Sequence, residues 1–183
     1  MVPRLLEKYR NEIVPEMMKV LNINNPMAVP RIDKIVINMG VGEAITDIKI
    51  LEKAMDELAA ISGQKPIMRR ARVAISNFKI KENNPVGCKV TLRRAKMYEF
   101  LDRFISVALP RIRDFRGVPI NSFDKAGNYT YGLTEQHIFP ELEIDKINRT
   151  QGMDITFVIK NAKNIEQSKT LLKLFGIPFQ TKE

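Results

Sequence analysis

Apolar positions recur along the chain at two spacings, and they divide it into nine segments. Residues 4–22 place Leu5, Leu6, Tyr9, Ile13, Met17, Met18 and Leu21 on one helical stripe, with Pro15 predicting a kink or two short helices. Pro26 and Pro30 mark an extended connection. Residues 32–39 are rich in β-branched side chains and predict a strand. Its alternation puts Ile35, Ile37 and Met39 on one face and Ile32, Lys34, Val36 and Asn38 on the other. Gly40-Val41-Gly42 resembles the opening of a dinucleotide-binding fingerprint, but Ile45 stands where the third glycine belongs, so a turn is the reading. Residues 47–62 predict an amphipathic helix with Ile48, Leu51, Met55, Leu58 and Ile61 on its stripe. Thr46 or Asp47 caps its start and Gly63 ends it.

Residues 66–71 predict a short strand, and Asn83-Asn84-Pro85 a turn. Residues 86–93 alternate fully: Val86, Cys88, Val90 and Leu92 face one way, Gly87, Lys89, Thr91 and Arg93 the other. A helix over 95–109 should bury Met97, Leu101, Phe104, Ile105 and Ala108 before Pro110. The loop-rich stretch 117–152 holds one short strand near Tyr129–Leu133. A strand over 153–160 and a helix over 165–175 follow, the helix with Asn164 as N-cap, Gln167 completing a capping box and Gly176 as C-cap. Strands in runs between helices predict an α+β fold. Its antiparallel or mixed sheet of about five strands carries helices on one face and leaves the other open. The length, 183 residues, is that of one domain.

Charge sharpens this picture. The net charge is +9, and residues 65–96 hold ten basic residues against one acid, Glu82. The remainder balances, so one segment carries the whole excess, as in a phosphate-backbone binder. A solvated face would carry compensating acids. No run of 18 apolar residues exists, and the first residues lack a signal-peptide core, which predicts a cytoplasmic protein with no membrane partner. The single cysteine, Cys88, permits no internal disulfide.

Catalytic chemistry finds no footing. His137 is the only histidine, and neither metal-ligand spacing nor a phosphate-cradling loop is present, so no cofactor is expected. Cys88 falls on the apolar face of its strand and reads as an inert thiol. Glu141, Glu143 and Asp145 read as a solvated acidic stretch or as a contact for a basic protein. Asn128 and Asn148 head glycosylation sequons without meaning in the cytosol. Phe78, Tyr129 and Tyr131 could stack on bases; equally, the two tyrosines could cover a sheet edge. Phe78 lies between basic residues in a turn-containing segment, which suits RNA.

The segments ISGQKP (61–66) and RARVAISNFKIKENNPVGCKVTLR (70–93) resemble the signature of the bacterial large-subunit ribosomal protein L-five family. IVINMGVGEA (35–44), YTYGLTEQHIFPEL (129–142) and GMDITFVIKNAKN (152–164) are similar to it as well. The resemblance implies a structural role in the central protuberance and binding of 5S rRNA by the sheet face. It implies RNA contact at Asn38, Gln64 and Thr91, with Lys34, Lys65, Arg69, Lys89 and Arg93 on phosphates. The loop from Ser76 to Val86, with Asn77, Phe78, Lys79 and Lys81, would reach the elbow of P-site tRNA. Further implied partners are large-subunit rRNA, neighbouring 5S-associated ribosomal proteins, and a small-subunit protein at an intersubunit bridge. That bridge would use loops after Pro110 and around Glu135–Arg149. Two positions depart from the family: Lys81-Glu82-Asn83 stands where Arg-Glu-Gly is frequent, and Arg69 where threonine is.

Overall fold

The computed structural model describes residues 2–143 and 149–180. The strands are β1 (Arg31–Gly40), β2 (Ile67–Arg70), β3 (Pro85–Leu92), β4 (Tyr129–Leu133) and β5 (Met153–Lys160). The helices are α1 (Arg4–Lys8), α2 (Val14–Leu21), α3 (Ile48–Ser62), α4 (Arg94–Arg103) and α5 (Ile165–Phe175). The strands make one antiparallel five-stranded sheet in the order β2-β3-β1-β5-β4, so the fold is α+β as the segment order predicts. The chain clusters into two compact units: Met1–Ile35, Arg93–Tyr131 and Thr156–Glu183 form the first, Val36–Leu92 and Gly132–Ile155 the second.

In the first unit α1 passes into α2 through a π-turn, Tyr9–Ile13, with no break. Pro15 has no N–H for the carbonyl of Asn11, four residues back, and its ring crowds that carbonyl. The helix answers by shifting to five-residue bonding, with the Val14 N–H donating to the Tyr9 carbonyl. Of the two expected outcomes, a kink or two short helices, the structure gives the second, two short α-helices joined by a π-turn. The same device follows α4, where a π-turn over Phe104–Ala108 ends two residues before Pro110. The inserted residue turns Phe104 and Ala108 into the core and leaves Ile105, expected there, only half-buried.

Phe104 packs 5.8 Å, ring to ring, from Phe157 of β5 and 6.1 Å from Tyr131 of β4. Tyr129 is 1% exposed and its hydroxyl donates to the Pro119 carbonyl at 2.9 Å. Both tyrosines therefore belong to the packed side of β4, which removes them as stacking platforms. At α5 the Asn164 side chain makes no capping bond. Gln167 Oε1 instead accepts from the Lys163 N–H at 2.8 Å, one residue upstream of the expected partner. Ile32, placed by alternation on the mixed face of β1, is buried. Its neighbour Asp33 accepts from Lys160 Nζ at 3.2 Å and from Arg93 at 3.4 Å.

In the second unit Asp47 caps α3 by accepting from the Lys49 N–H at 2.9 Å, and Gly63 closes the helix at φ +63°. The buried stripe is Leu51, Ala54, Leu58 and Ile61. It is rotated toward small Ala54, so Met55 is half-buried and Ile48, at the first helical position, is exposed. α3 packs on β3, whose Cys88, Val90 and Leu92 are buried.

Candidate nucleic-acid interface

β2 and β3 form an antiparallel hairpin in which Ile67 faces Lys89, Met68 faces Cys88 and Arg69 faces Gly87. Residues directly opposite in such a pair share a face. Cys88 is core, so Ile67, Arg69, Lys89 and, by alternation, Thr91 stand on the other side. Arg69 is exposed, and Lys89 and Thr91 are half-buried. Ile67 is 67% exposed, an apolar side chain held among cations. Gly87 lets strands close up at the centre of this face. A Cβ there would sit 2.4 Å from the Met39 carbonyl oxygen of β1.

Counting back along the register sets Lys65 opposite Thr91, but Pro66 has no N–H and β2 starts only at Ile67. The Thr91 carbonyl is met instead by the side chain of Gln64, whose Nε2 donates at 3.3 Å. Gln64 is half-buried, while Lys65 and, on β1, Asn38 are exposed. Within the second unit the structure thus brings Gln64 onto Thr91 and sets Arg69 and Lys89 on one face of the hairpin. Lys34 and Arg93 lie in the first unit. Lys34 shares the strand parity of Asn38 and is half-buried; Arg93 is exposed, with its guanidinium shared with Asp33.

The segment joining β2 to β3 is a structured arm. At its base the Ala71 N–H donates to the Asn84 carbonyl at 2.9 Å and the Asn83 N–H to the Ala71 carbonyl at 3.0 Å. Arg70 also donates to the Asn83 carbonyl, at 3.0 Å. At its tip Ile75 and Ile80 bridge around a short 3-10 turn, Ser76–Phe78. Lys79 at φ +55° and Asn83 at φ +66° take the left-handed conformation these turns need. Asparagine is among the few non-glycine residues that tolerate it. Asn77, Lys79 and Lys81 are exposed and Phe78 is 69% exposed, so the tip offers an aromatic face among cations.

The remaining candidate groups have structural explanations. The Cys88 thiol is fully buried, and burial, with Glu57 adding to it, pushes its pKa up to about 11. His137 is exposed and its Nε2 lies 3.0 Å from a Glu135 carboxylate oxygen. Among the described residues no group of three or more His, Cys, Asp or Glu could hold a metal ion, and no helix is long and apolar enough to cross a membrane. Asn128 of the first sequon is held by Asp124 and accepts from the Ile159 N–H at 3.1 Å. Glu141 is half-buried and Glu143 exposed; Asp145 and Asn148 lie outside the described residues.

Three residues escape sequence reasoning. Ile67 requires the strand register, which a four-residue strand does not declare. Gly87 requires the approach of β1. Ser62, buried at the end of α3, accepts the Gln64 N–H at 3.3 Å, and its hydroxyl proton has two carbonyls in reach, Leu58 at 2.7 Å and Gln64 at 2.9 Å. Only the serine immediately before a helix-ending glycine could have signalled it.

The comparisons with known proteins agree along the chain. The sequence model described as "Ribosomal protein L5" matches residues 25–81, and that described as "ribosomal L5P family C-terminus" matches residues 85–179. The large ribosomal subunit protein uL5 of Clostridium acetobutylicum is 56% identical over 179 residues, 98% of this chain and 99% of its own. Those of Prosthecochloris aestuarii and Geotalea uraniireducens are 56% and 53% identical, covering 99% and 97% of this chain and 92% and 98% of theirs.

Proposed function

Because the chain belongs to the ribosomal protein L5 family, and is a structural constituent of the large subunit of the bacterial cytoplasmic ribosome rather than an enzyme, we propose that it binds 5S rRNA with the polar side of its β2–β3 hairpin. The observation that carries this is the register of that hairpin. It turns the isolated +9 segment into a face where Arg69, Lys89 and Thr91 stand together, with Gln64 locked beside them. Cations of this kind hold phosphates, and hydroxyl and amide groups read 2′-hydroxyls and base edges. Asn38 and Lys65 extend the set in the second unit, and Lys34 and Arg93 supply phosphate contacts from the first.

The loop from Ser76 to Val86, which includes the tip of the arm, is assigned to P-site tRNA. Its Phe78 stacks on a base or ribose edge while Asn77, Lys79 and Lys81 hold the backbone. Lys81 offers a point charge where an arginine would offer a fork, which weakens geometric selectivity at that contact. Attachment in the central protuberance brings large-subunit rRNA and other 5S-associated proteins alongside. The bridge to a small-subunit protein uses loops after Pro110 and around Glu135.

Sequencing the RNA that co-purifies with the protein, followed by filter binding of 5S rRNA against an unrelated hairpin of equal length, tests this reading. The expected outcome is preferential, salt-sensitive 5S rRNA binding that weakens in Thr91→Ala and survives shortening of residues 79–84. Equal affinity for both RNAs would remove the specific-binding claim. Loss of 5S rRNA binding on shortening the arm would remove the division between face and arm.

A further inference from the structure

We propose that Ser62 is a positioning residue for RNA recognition: it clamps Gln64 so that the outer end of the Gln64 amide meets a hydrogen-bond donor on the RNA. The inference rests on the preceding assignment of this face to RNA. Ser62 is 3% exposed, and its hydroxyl lies 2.7 Å from the Leu58 carbonyl, the usual back-bond of a serine inside a helix. That bond alone would make Ser62 a packing residue. The same oxygen, however, also takes the Gln64 N–H at 3.3 Å and lies 2.9 Å from the Gln64 carbonyl. The oxygen therefore accepts the Gln64 N–H while its single proton is shared between the Leu58 and Gln64 carbonyls, across a glycine at φ +63° that by itself would leave the chain free to swing.

What the clamp holds is a side chain with a defined polarity. The Thr91 carbonyl can only accept, so the atom of the Gln64 amide facing it, at 3.3 Å, must be the NH2 group. One N–H of the amide is thus committed to the Thr91 carbonyl. Its acceptor, Oε1, has no hydrogen-bond partner among the described residues. An acceptor held in this way suits a donor: a ribose 2′-hydroxyl or an exocyclic amino group. Without Ser62, Gln64 would still carry the amide but would lose the backbone posture that aims it.

The test measures 5S rRNA affinity of the full chain by filter binding at fixed salt for Ser62→Ala, Ser62→Cys, Gln64→Ala and the double variant Ser62→Ala/Gln64→Ala. Cysteine keeps the buried volume and loses most of the hydrogen bonding, so it stands in if alanine fails to fold. Circular dichroism establishes that each measured variant is folded. Gln64→Ala should weaken binding about three- to tenfold, the worth of one net hydrogen bond. Ser62→Ala and Ser62→Cys should weaken it several-fold with the salt dependence unchanged, because every phosphate-binding cation stays in place. In the Gln64→Ala background, removing the serine hydroxyl should cost nothing further. If Gln64→Ala weakens binding but the serine variants do not, or if their effects multiply in the double variant, the positioning role is overturned while the RNA-facing assignment stands. If Gln64→Ala leaves affinity unchanged, the assignment of this corner to RNA falls and the inference with it.

Discussion

The salt dependence of RNA binding gives the most direct reading of the β2–β3 face. The perturbation is the triple variant Lys65→Gln/Arg69→Gln/Lys89→Gln, which keeps a polar, hydrogen-bonding side chain and removes three positive charges from one unit of the protein. Each phosphate neutralised by a cation adds about 0.7–0.9 to the slope of log K against log salt, the lower figure for single strands and the higher for duplex. Removing the three cations should lower the slope by about 2–3, so the affinity ratio of wild type to variant should shrink about four- to sixfold for each doubling of salt. Fluorescence anisotropy with labelled 5S rRNA between 0.05 and 0.3 M KCl, roughly the range over which such slopes are resolved, supplies the measurement. Lys173→Gln, a single cation in the last turn of α5 outside the charged segment, serves as the control and should leave the slope unchanged. A triple variant that binds more weakly with an unaltered slope would refute the reasoning. The three side chains would then act on the fold, or on base edges, and not on phosphates.

Three further outcomes follow from single sites. Gly87→Ala should destabilise the protein by about 1–3 kcal/mol or more in urea unfolding, because the new methyl meets a backbone oxygen that only strand movement can relieve. An unchanged midpoint would refute the tight β1–β3 approach. The Cys88 thiol should resist a thiol reagent at pH 8 in the native protein and react on unfolding. Its raised pKa keeps it neutral when folded, so its contribution to stability holds below the ordinary thiol pKa and fades as pH climbs toward about 11. Asp124 loses some solvation, yet hydrogen bonds from the Asn128 side chain and from backbone N–H groups outweigh this and lower its pKa. The folded state therefore favours the carboxylate: stability is present above the unfolded value of about 3.9 and lost as pH falls below it. The gap in melting temperature between wild type and Asp124→Asn should accordingly be wide at pH 7 and narrow near pH 3; a gap independent of pH would refute the loop's dependence on that charge.

Local chemistry was the legible part of the sequence. β4 and β5 have the bounds that alternation predicts, and α3 starts at the aspartate and ends at the glycine that its caps require. Lys89 and Thr91 follow from period two alone. What the sequence hid depends on residues far apart in the chain. Gln64 meets the Thr91 carbonyl across 27 positions, and no periodicity relates them. The outward placement of Ile67 depends on which residue of β3 it faces. The π-turns escaped because a proline in a helical pattern announces a disruption without saying how the helix will absorb it. Ile105 was misplaced for the same reason, since one inserted residue resets the face. Tyr129 and Tyr131 were ambiguous because aromatic residues suit both a core and a stacking surface, and only packing against Phe104 and Phe157 decides.

The arm between β2 and β3 carries its backbone bonds in two separate sets, one at Ala71–Asn84 and one at Ile75–Ile80. Its tip therefore closes its backbone bonds among its own residues, without using those of the sheet. A small fluorophore attached at position 78 through a Phe78→Cys substitution, with buried Cys88 shielded from the label, would ride on the tip without touching the hairpin face. The feature makes the arm a site for a reporter: the dye should sense what passes the tip, and 5S rRNA binding by the face, as proposed, should be unchanged by the label.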